Sequence, residues 1–482
     1  MDLRGEGLPL GSRGRKSNPW RILLYLLLIV FGVQLTRMVE AGRVKPVLSA
    51  TPLPTRTSNS FSDQGKAFFA IGDMEAAIDA YQSAAEVEPE NGFIWADMAR
   101  IQVYSSELRT NSQLRQVRLA EARQSIEQAL ALAPDESYIH AVRALVYDWS
   151  ATAEDTLAMR DEFLTEAEAA AVRANQLDPD NPLGLAFYAE VLTDQQKWAQ
   201  ALDLAEQAVD RSEDLGESLG DTRMDIYRVY GTVLESLGLY RRAIEEYERA
   251  ALYTPNLAFL YLNIGVNYRQ LLDYDTALDY FNKAVQINEQ LADDLQSQDP
   301  VPYLAIGKTY LQQGEFFAAA LNIAKALAIN PADADVYGRL GIVYYKARNY
   351  ESAIPVLKCA TEGCTAEESQ AVLCEMGYAE CDPQSDAEPL VGRQVDGLPL
   401  ATSSLEYYYT YGSALAYYSG TEAYPDGCEQ AETIFLQLMR TYGEDPIVAG
   451  IVEENRSICA RVEPGDSPQA LPTAPLTVTP TP

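Results

Sequence analysis

Residues 224–257 read MDIYRVYGTVLESLGLYRRAIEEYERAALYTPNL. Apolar and small residues recur at spacings of three and four, the period of amphipathic helices and not of strands. Tyr227, Tyr230, Gly231 and Leu234 fall on one face of a first helix, and Ala243, Tyr247 and Ala250 on one face of a second. Gly231 and Ala243 leave room for the paired helices to approach closely, while the tyrosines fill the gap to a neighbouring pair. Pro255 ends the second helix, because proline has no amide hydrogen and clashes with the preceding turn.

The unit repeats. Tyr261, Ile264, Gly265, Tyr268, Ala277, Phe281 and Ala284 restate it in step; Tyr303, Gly307, Tyr310, Ala319, Ala326 and Pro331 do so again, followed by Tyr337, Leu340, Gly341, Tyr344, Ala353 and Ala360. Upstream, Phe61, Gly65, Phe68, Ala77, Tyr81, Ala84 and Pro89 make a first copy, and Leu185, Ala189, Leu192, Ala201 and Ala208 a fourth. This 34-residue pattern resembles the tetratricopeptide-repeat (TPR) superfamily. The resemblance implies an all-α fold, a right-handed superhelical solenoid of about eight to nine helix-hairpin repeats. It also implies a concave groove that holds peptides or protein surfaces.

Repeats two and three are longer by 11 residues each: Trp95 and Ala99 pair with Ala122, Ala129 and Pro134, and Ala144 and Tyr147 with Ala167, Ala174 and Pro179. Eleven residues are three helical turns to within about 20°, so a second helix can lengthen without rotating its apolar face. Two taller hairpins are expected. Shorter inserts near 216–223 and 292–299 extend or follow second helices. The expected boundaries are a short basic tail (1–19), a transmembrane signal anchor (20–39), a Pro/Ser/Thr linker (40–57) and repeats one to eight (58–367). An irregular Cys-containing insert (368–403), a degenerate repeat with capping helix (404–462) and a disordered Pro/Thr-rich tail (463–482) complete the chain.

The anchor is read from Ile22–Leu35, ILLYLLLIVFGVQL. With flanking Trp20 and Arg37 snorkelling, about 20 residues can cross a hydrocarbon core. A cleavable signal peptide is the rival, and Arg37 fits cleavage poorly. Arg13, Arg15, Lys16 and Arg21 precede the run, and Arg37, Arg43 and Lys45 follow it, so basic residues barely decide orientation. The cysteines and the PTAPLTVTPTP ending favour a cytoplasmic N-terminus with the repeats outside; a cytoplasmic repeat domain is the alternative.

The 70 acidic and 37 basic residues give a formal net charge of -33, which excludes a typical nucleic-acid binder. One histidine, His140, leaves little room for a catalytic triad or a multi-histidine metal site, and it occupies a packing position of repeat three. No enzyme activity and no cofactor are expected. All six cysteines, at 359, 364, 374, 381, 428 and 459, lie near the C-terminus. Disulfides, free thiols and a structural metal site are the possibilities, the spacings departing from paired C-x-x-C. Cys428 and Cys459 stand opposite each other if an antiparallel hairpin turns near Tyr442–Asp445, and are expected to form a disulfide.

Chemistry in the groove is read from positions 2, 5, 9 and 12 of each first helix, which share one side, with neighbouring position 13. They give Arg228, Arg269, Lys308, Tyr345 and Lys346, diluted by Asp225, Glu235 and Asp335. The recurrence of cations on one face suggests that the C-terminal half of the groove receives an acidic or carboxylate-ended segment. The Lys-Asn-Arg clamp of TPR co-chaperones is not matched, since Leu262 and Val266 occupy its positions in repeat six. The expected function is a membrane-displayed, non-catalytic scaffold binding other proteins, or an envelope assembly factor using the same groove.

Overall fold

A computed structural model describes residues 18–40, 56–109, 112–154, 156–220, 222–291, 298–375 and 392–461. The basic tail to residue 17, most of the linker, Cys381 and the Pro/Thr-rich tail lie outside the described residues. The chain divides into two compact units, 1–56 and 57–482.

The first unit carries α1 (Pro19–Glu40), whose apolar side chains from Ile22 to Val33 are largely exposed. Among the described residues no helix is long and apolar enough to cross a membrane. The uninterrupted apolar run, Ile22–Val33, covers only about 18 Å of helix axis before Gln34, against a hydrocarbon core of about 30 Å. The expected transmembrane span is therefore not supported by this fold.

The second unit is a helical solenoid, with no strand among its described residues. Repeats one to four pair α2 (Ser58–Ala70) with α3 (Met74–Val87), α4 (Gly92–Glu107) with α5 (Ser112–Leu132), α6 (Ser137–Thr152) with α7 (Leu157–Leu177), and α8 (Pro182–Asp194) with α9 (Trp198–Leu215). Repeats five to eight pair α10 (Thr222–Ser236) with α11 (Tyr240–Tyr253), α12 (Ala258–Gln270) with α13 (Tyr274–Leu291), α14 (Val301–Gln313) with α15 (Phe316–Ile329), and α16 (Ala334–Lys346) with α17 (Tyr350–Thr361). Then follow α18 (Ala366–Glu375), the ninth pair α19 (Leu405–Tyr418) and α20 (Gly427–Tyr442), and α21 (Pro446–Cys459).

Close approach explains the glycine at the eighth position. A Cβ on Gly231 would lie 2.9 Å from the Tyr247 ring, and one on Gly265 2.5 Å from the Phe281 ring. In both repeats the partner sits sixteen residues later, so the small residue of the first helix receives the ring of the second. Asp73, Asn91, Asn181, Asp333 and Asn349 each accept a backbone amide hydrogen bond at the start of a helix. Each such cap is worth about 1 kcal/mol. The fifteenth position turns the chain between paired helices in the left-handed region. Glycine fills it in Gly72, Gly238 and Gly314, but Gln196, Leu272 and Arg348 adopt φ of 61°, 62° and 60° there.

The taller hairpins are present: α5 and α7 each run 21 residues, against 14 for α3 and α11. Part of the added length goes to the first helices, since α4 and α6 reach 16 residues. The insert expected to be irregular carries α18. Its return segment, around residue 395, pairs Val395 with Cys364 in an isolated antiparallel bridge. Tyr408 closes the junction by donating its hydroxyl to the Leu398 carbonyl at 2.7 Å.

Two apolar cores result, one running from repeat one to Val395 and one holding α19, α20 and α21 against repeat eight. Within the first, α4 buries 12 of its 16 residues and α8 buries 11 of 13, whereas the outer α11 buries 5 of 14. First helices of an open groove would leave one face wet; these are enclosed on nearly all sides.

Candidate functional site

The enclosure has a specific cause. Tyr104 of α4 packs among Phe69, Trp149 and Phe259, with ring centroids 5.9, 5.6 and 5.3 Å away. Its hydroxyl donates to Asp225 of α10, which also pairs with Arg100. The turn at Gly72 in repeat one meets the turn at Asn256 before repeat six, where a Cβ on Gly72 would come within 2.3 Å of the Asn256 carbonyl oxygen. Repeats one to six thus wrap until their inner faces touch.

Arg228 belongs to this interior, which corrects its expected place as a groove cation. It is 3% exposed and donates two hydrogen bonds to the Glu190 carboxylate, at 2.6 and 2.7 Å. The guanidinium also stands over the rings of Tyr104 and Trp149, 5.5 and 5.6 Å from their centroids. The nearby carboxylates Glu190 and Asp225 outweigh its burial and hold Arg228 firmly charged. Its charge is spent inside the protein.

The other expected cations lie beyond the enclosed part. Arg269 is buried near the end of α12, where Nη1 donates to the Ala305 carbonyl at 3.4 Å. Lys308 is exposed on α14. Burial pulls the Lys308 ammonium below its ordinary value, and the positive charges of Arg269 and Arg339 pull it in the same direction. Burial lowers Arg269 too, against the raising influence of Glu235. Among the described residues no ion pair is formed by Arg269 or Lys308, while Arg339 pairs with Asp335 at 2.6 Å. Lys346 is exposed on the last turn of α16. Tyr345 is half-buried beside Tyr350 and Tyr417, with ring centroids 5.6 and 6.4 Å away. Burial pushes its hydroxyl up to about 12.

The structure therefore brings Arg269 and Lys308 into one electrostatic neighbourhood, keeps Lys346 at the surface, and removes Arg228. It adds Arg339, which sequence reading missed because the residue stands at the sixth position of its repeat, outside the helix side that was read. Two like charges that form no ion pair among the described residues are a cost in the free protein that an incoming anion would relieve.

Cys428 and Cys459 join α20 to α21, their sulfurs 2.02 Å and Cα atoms 5.6 Å apart. Cys359 joins Cys364 within repeat eight. His140 is buried, with Nε2 2.8 Å from the Pro134 carbonyl oxygen. Among the described residues no group of three or more His, Cys, Asp or Glu is arranged to hold a metal ion.

Two family models described as tetratricopeptide repeat match this chain, one at residues 60–91 and 260–291 and the other at 304–363. These segments correspond to repeat one, repeat six and repeats seven to eight. BBSome complex member BBS4 from Bos taurus is 27% identical over 117 residues, 24% of this chain and 21% of the relative. Its Mus musculus counterpart is 28% identical over 108 residues, 22% and 19% of the two chains. The chain thus spans about a fifth of the length of these curated relatives. Among solved structures, the APC/C hetero-tetramer Cut9–Hcn1 aligns with a TM-score of 0.47 and 15% identity, covering 68% of this chain and 54% of that one. The helix pairs, the glycine-to-ring contacts and the matched segments agree on an all-helical, TPR-like solenoid that carries tetratricopeptide repeats at residues 60–91, 260–291 and 304–363.

Proposed function

We propose that the protein is a non-catalytic scaffold that binds other proteins through the C-terminal half of its solenoid, taking an acidic or carboxylate-ended segment against Arg269, Lys308, Arg339 and Lys346. The observation that carries this reading is the neighbourhood of Arg269 and Lys308, cations that repel each other and form no ion pair among the described residues. A carboxylate placed there gains charge-assisted hydrogen bonds and removes the repulsion. The enclosed N-terminal half does not serve the same purpose, because its inner cation Arg228 is already paired with Glu190.

Display on a membrane belongs to the same proposal. The exposed apolar side chains from Ile22 to Val33 are too short a run to cross a hydrocarbon core alone, so insertion rests on Trp20 at one interface and Arg37 snorkelling to the other. The repeats then lie outside a cell membrane, where cysteine pairs such as Cys428 and Cys459 persist. An envelope assembly factor would use the same surface.

The test is capture from native membrane extracts by the full chain, with crosslinking to locate contacts, repeated with Lys308→Glu and Lys346→Glu. Both side chains are exposed, so the variants keep their fold. Loss of crosslinks to α14 and α16 together with loss of capture supports the reading; unchanged capture by the folded double variant contradicts it. Extraction of the chain from washed membranes without detergent would contradict the membrane proposal separately.

A further inference from the structure

The C-terminal ends of four consecutive first helices converge on one cavity. Glu107 is the last residue of α4 and Asp194 the last of α8, Asp148 stands a turn before the end of α6, and Glu235 is the penultimate residue of α10. With Glu190 they line a cavity of about 310 Å³, toward the lower end of the range for small-ligand sites. Each helix end also adds the partial negative charge of its unsatisfied carbonyl groups. Among the described residues five carboxylates line it with two guanidinium groups, those of Arg115 and Arg228.

Most of these carboxylates are engaged. Glu190 is held by Arg228 and by the Trp149 indole at 3.1 Å, Glu235 by Tyr247 and Asn267 at 3.0 and 2.8 Å, and Glu107 by Arg115. Asp148 is different. Its side chain is fully buried, and neither carboxylate oxygen has a hydrogen-bond partner among the described residues. A buried carboxylate left in this state is costly, whether ionised or protonated. Burial, the neighbouring Asp194 and Glu190 all push Asp148 well above the usual carboxylate range, and burial with Glu190 pushes Asp194 up to about 6. The walls between the carboxylates are aromatic: Trp149, Tyr247 and Phe259.

We propose that this cavity is a binding site for a cationic group of the alkylammonium or guanidinium class, whose charge pairs with Asp148 and Asp194 while its stem packs on Trp149 and Phe259. Aromatic faces attract such cations, and the carboxylates supply hydrogen-bond acceptors that Asp148 otherwise leaves unused. A bare metal ion fits less well, since no three ligating side chains among the described residues converge closely enough to hold one. The site is separate from the basic surface at Lys308 and has the opposite charge preference.

Two probes distinguish the sources of such a group: spermidine for a free polyamine, and a capped arginine peptide for a protein side chain. The same peptide with citrulline in place of arginine is the neutral control. Calorimetric titration of the full chain is expected to show one equivalent of at least one probe, with citrulline weakening the peptide at least tenfold. Asp148→Asn is expected to weaken the bound probe at least tenfold while melting close to the unliganded parent, because the amide matches in size the carboxyl group that burial already holds toward its neutral form. Should Asp148→Asn fail to fold, the partly exposed Asp194→Asn carries the same comparison. Binding of neither probe, equal binding by the folded variants, or binding of calcium in preference to both probes would overturn the proposal.

Discussion

Tyr104 of the second repeat lies flat against Phe259 of the sixth, ring centroids 5.3 Å apart and planes inclined by 9°. Residues 155 positions apart in sequence thus meet across what would be the hollow of an open solenoid, and the hydroxyl of Tyr104 reaches Asp225 on the way. Tyr104→Ala should lower unfolding free energy by about 3–5 kcal/mol, the range for emptying a buried aromatic position. Tyr104→Phe removes only the donor to Asp225 and should cost about 1–3 kcal/mol. Urea titrations of the two variants check both values; equal, near-zero losses would mean that the inner faces do not touch.

The bidentate pair of Arg228 and Glu190 makes the second prediction. Arg228→Met alone leaves Glu190 as an unpaired buried carboxylate and should cost about 3–5 kcal/mol. Combining it with Glu190→Met should recover much of that loss, since replacing a whole buried ion pair with apolar groups is often nearly neutral. A double-mutant cycle by denaturant unfolding measures the coupling. An additive cycle would contradict the pairing.

Leu272 occupies the left-handed turn position with φ of 62° and is exposed, so its side chain gains little from packing. A non-glycine residue there bears about 1–2 kcal/mol of backbone strain. Leu272→Gly should therefore raise stability by about 1 kcal/mol after the greater freedom of glycine in the unfolded chain is subtracted. Thermal melting checks the sign, and a lower melting temperature would show that the turn is not strained.

Burial raises Asp299 to about 7, and Asp194 and Asp333 each to about 6. An unfolded aspartate titrates near 3.9, so the folded state binds more protons between roughly pH 4 and pH 7. Stability from these groups is fully present below about pH 4 and is lost as pH rises through 6 and 7. Hydrogen bonds from Lys197 to Glu168 and from Lys358 to Glu368 lower those two carboxyls and act in the opposite sense, but both are largely solvated. The melting temperature should increase when pH is lowered from 7.5 to 5, and Asp299→Asn should flatten that slope while keeping the amide hydrogen bond accepted from Val301.

Much of this fold is written in the repeat. Gly231 against Tyr247 and Gly265 against Phe281 follow from one spacing, as do the helix ends at their prolines. What the spacing leaves open is how far the superhelix coils, because that depends on how successive pairs stack. Tyr104 meeting Phe259 is a contact between units that share no local pattern. Arg228 was legible as a cation on an inner face, but not as the partner of Glu190, which lies one repeat away. The acidic cavity did have a signal. Reading positions 9, 12 and 13 in repeats three to five gives Glu190, Asp148, Glu235 and Asp194, the same positions that give Lys308, Arg269 and Lys346 further on. The change of sign along the inner face was readable; the burial of Asp148 was not, since it arises from the coiling.

The central claim is that the basic neighbourhood of Lys308 receives an acidic chain. Its most direct test is fluorescence anisotropy of a labelled peptide of aspartate and glutamate with a free C-terminal carboxylate, titrated with the full chain, with Lys308→Glu and with Arg269→Gln. The account predicts saturable binding that weakens as salt is raised, falls at least tenfold with Lys308→Glu, and falls again when the terminal carboxylate is amidated. Binding that is absent at low salt, or is unchanged in folded Lys308→Glu, would contradict it.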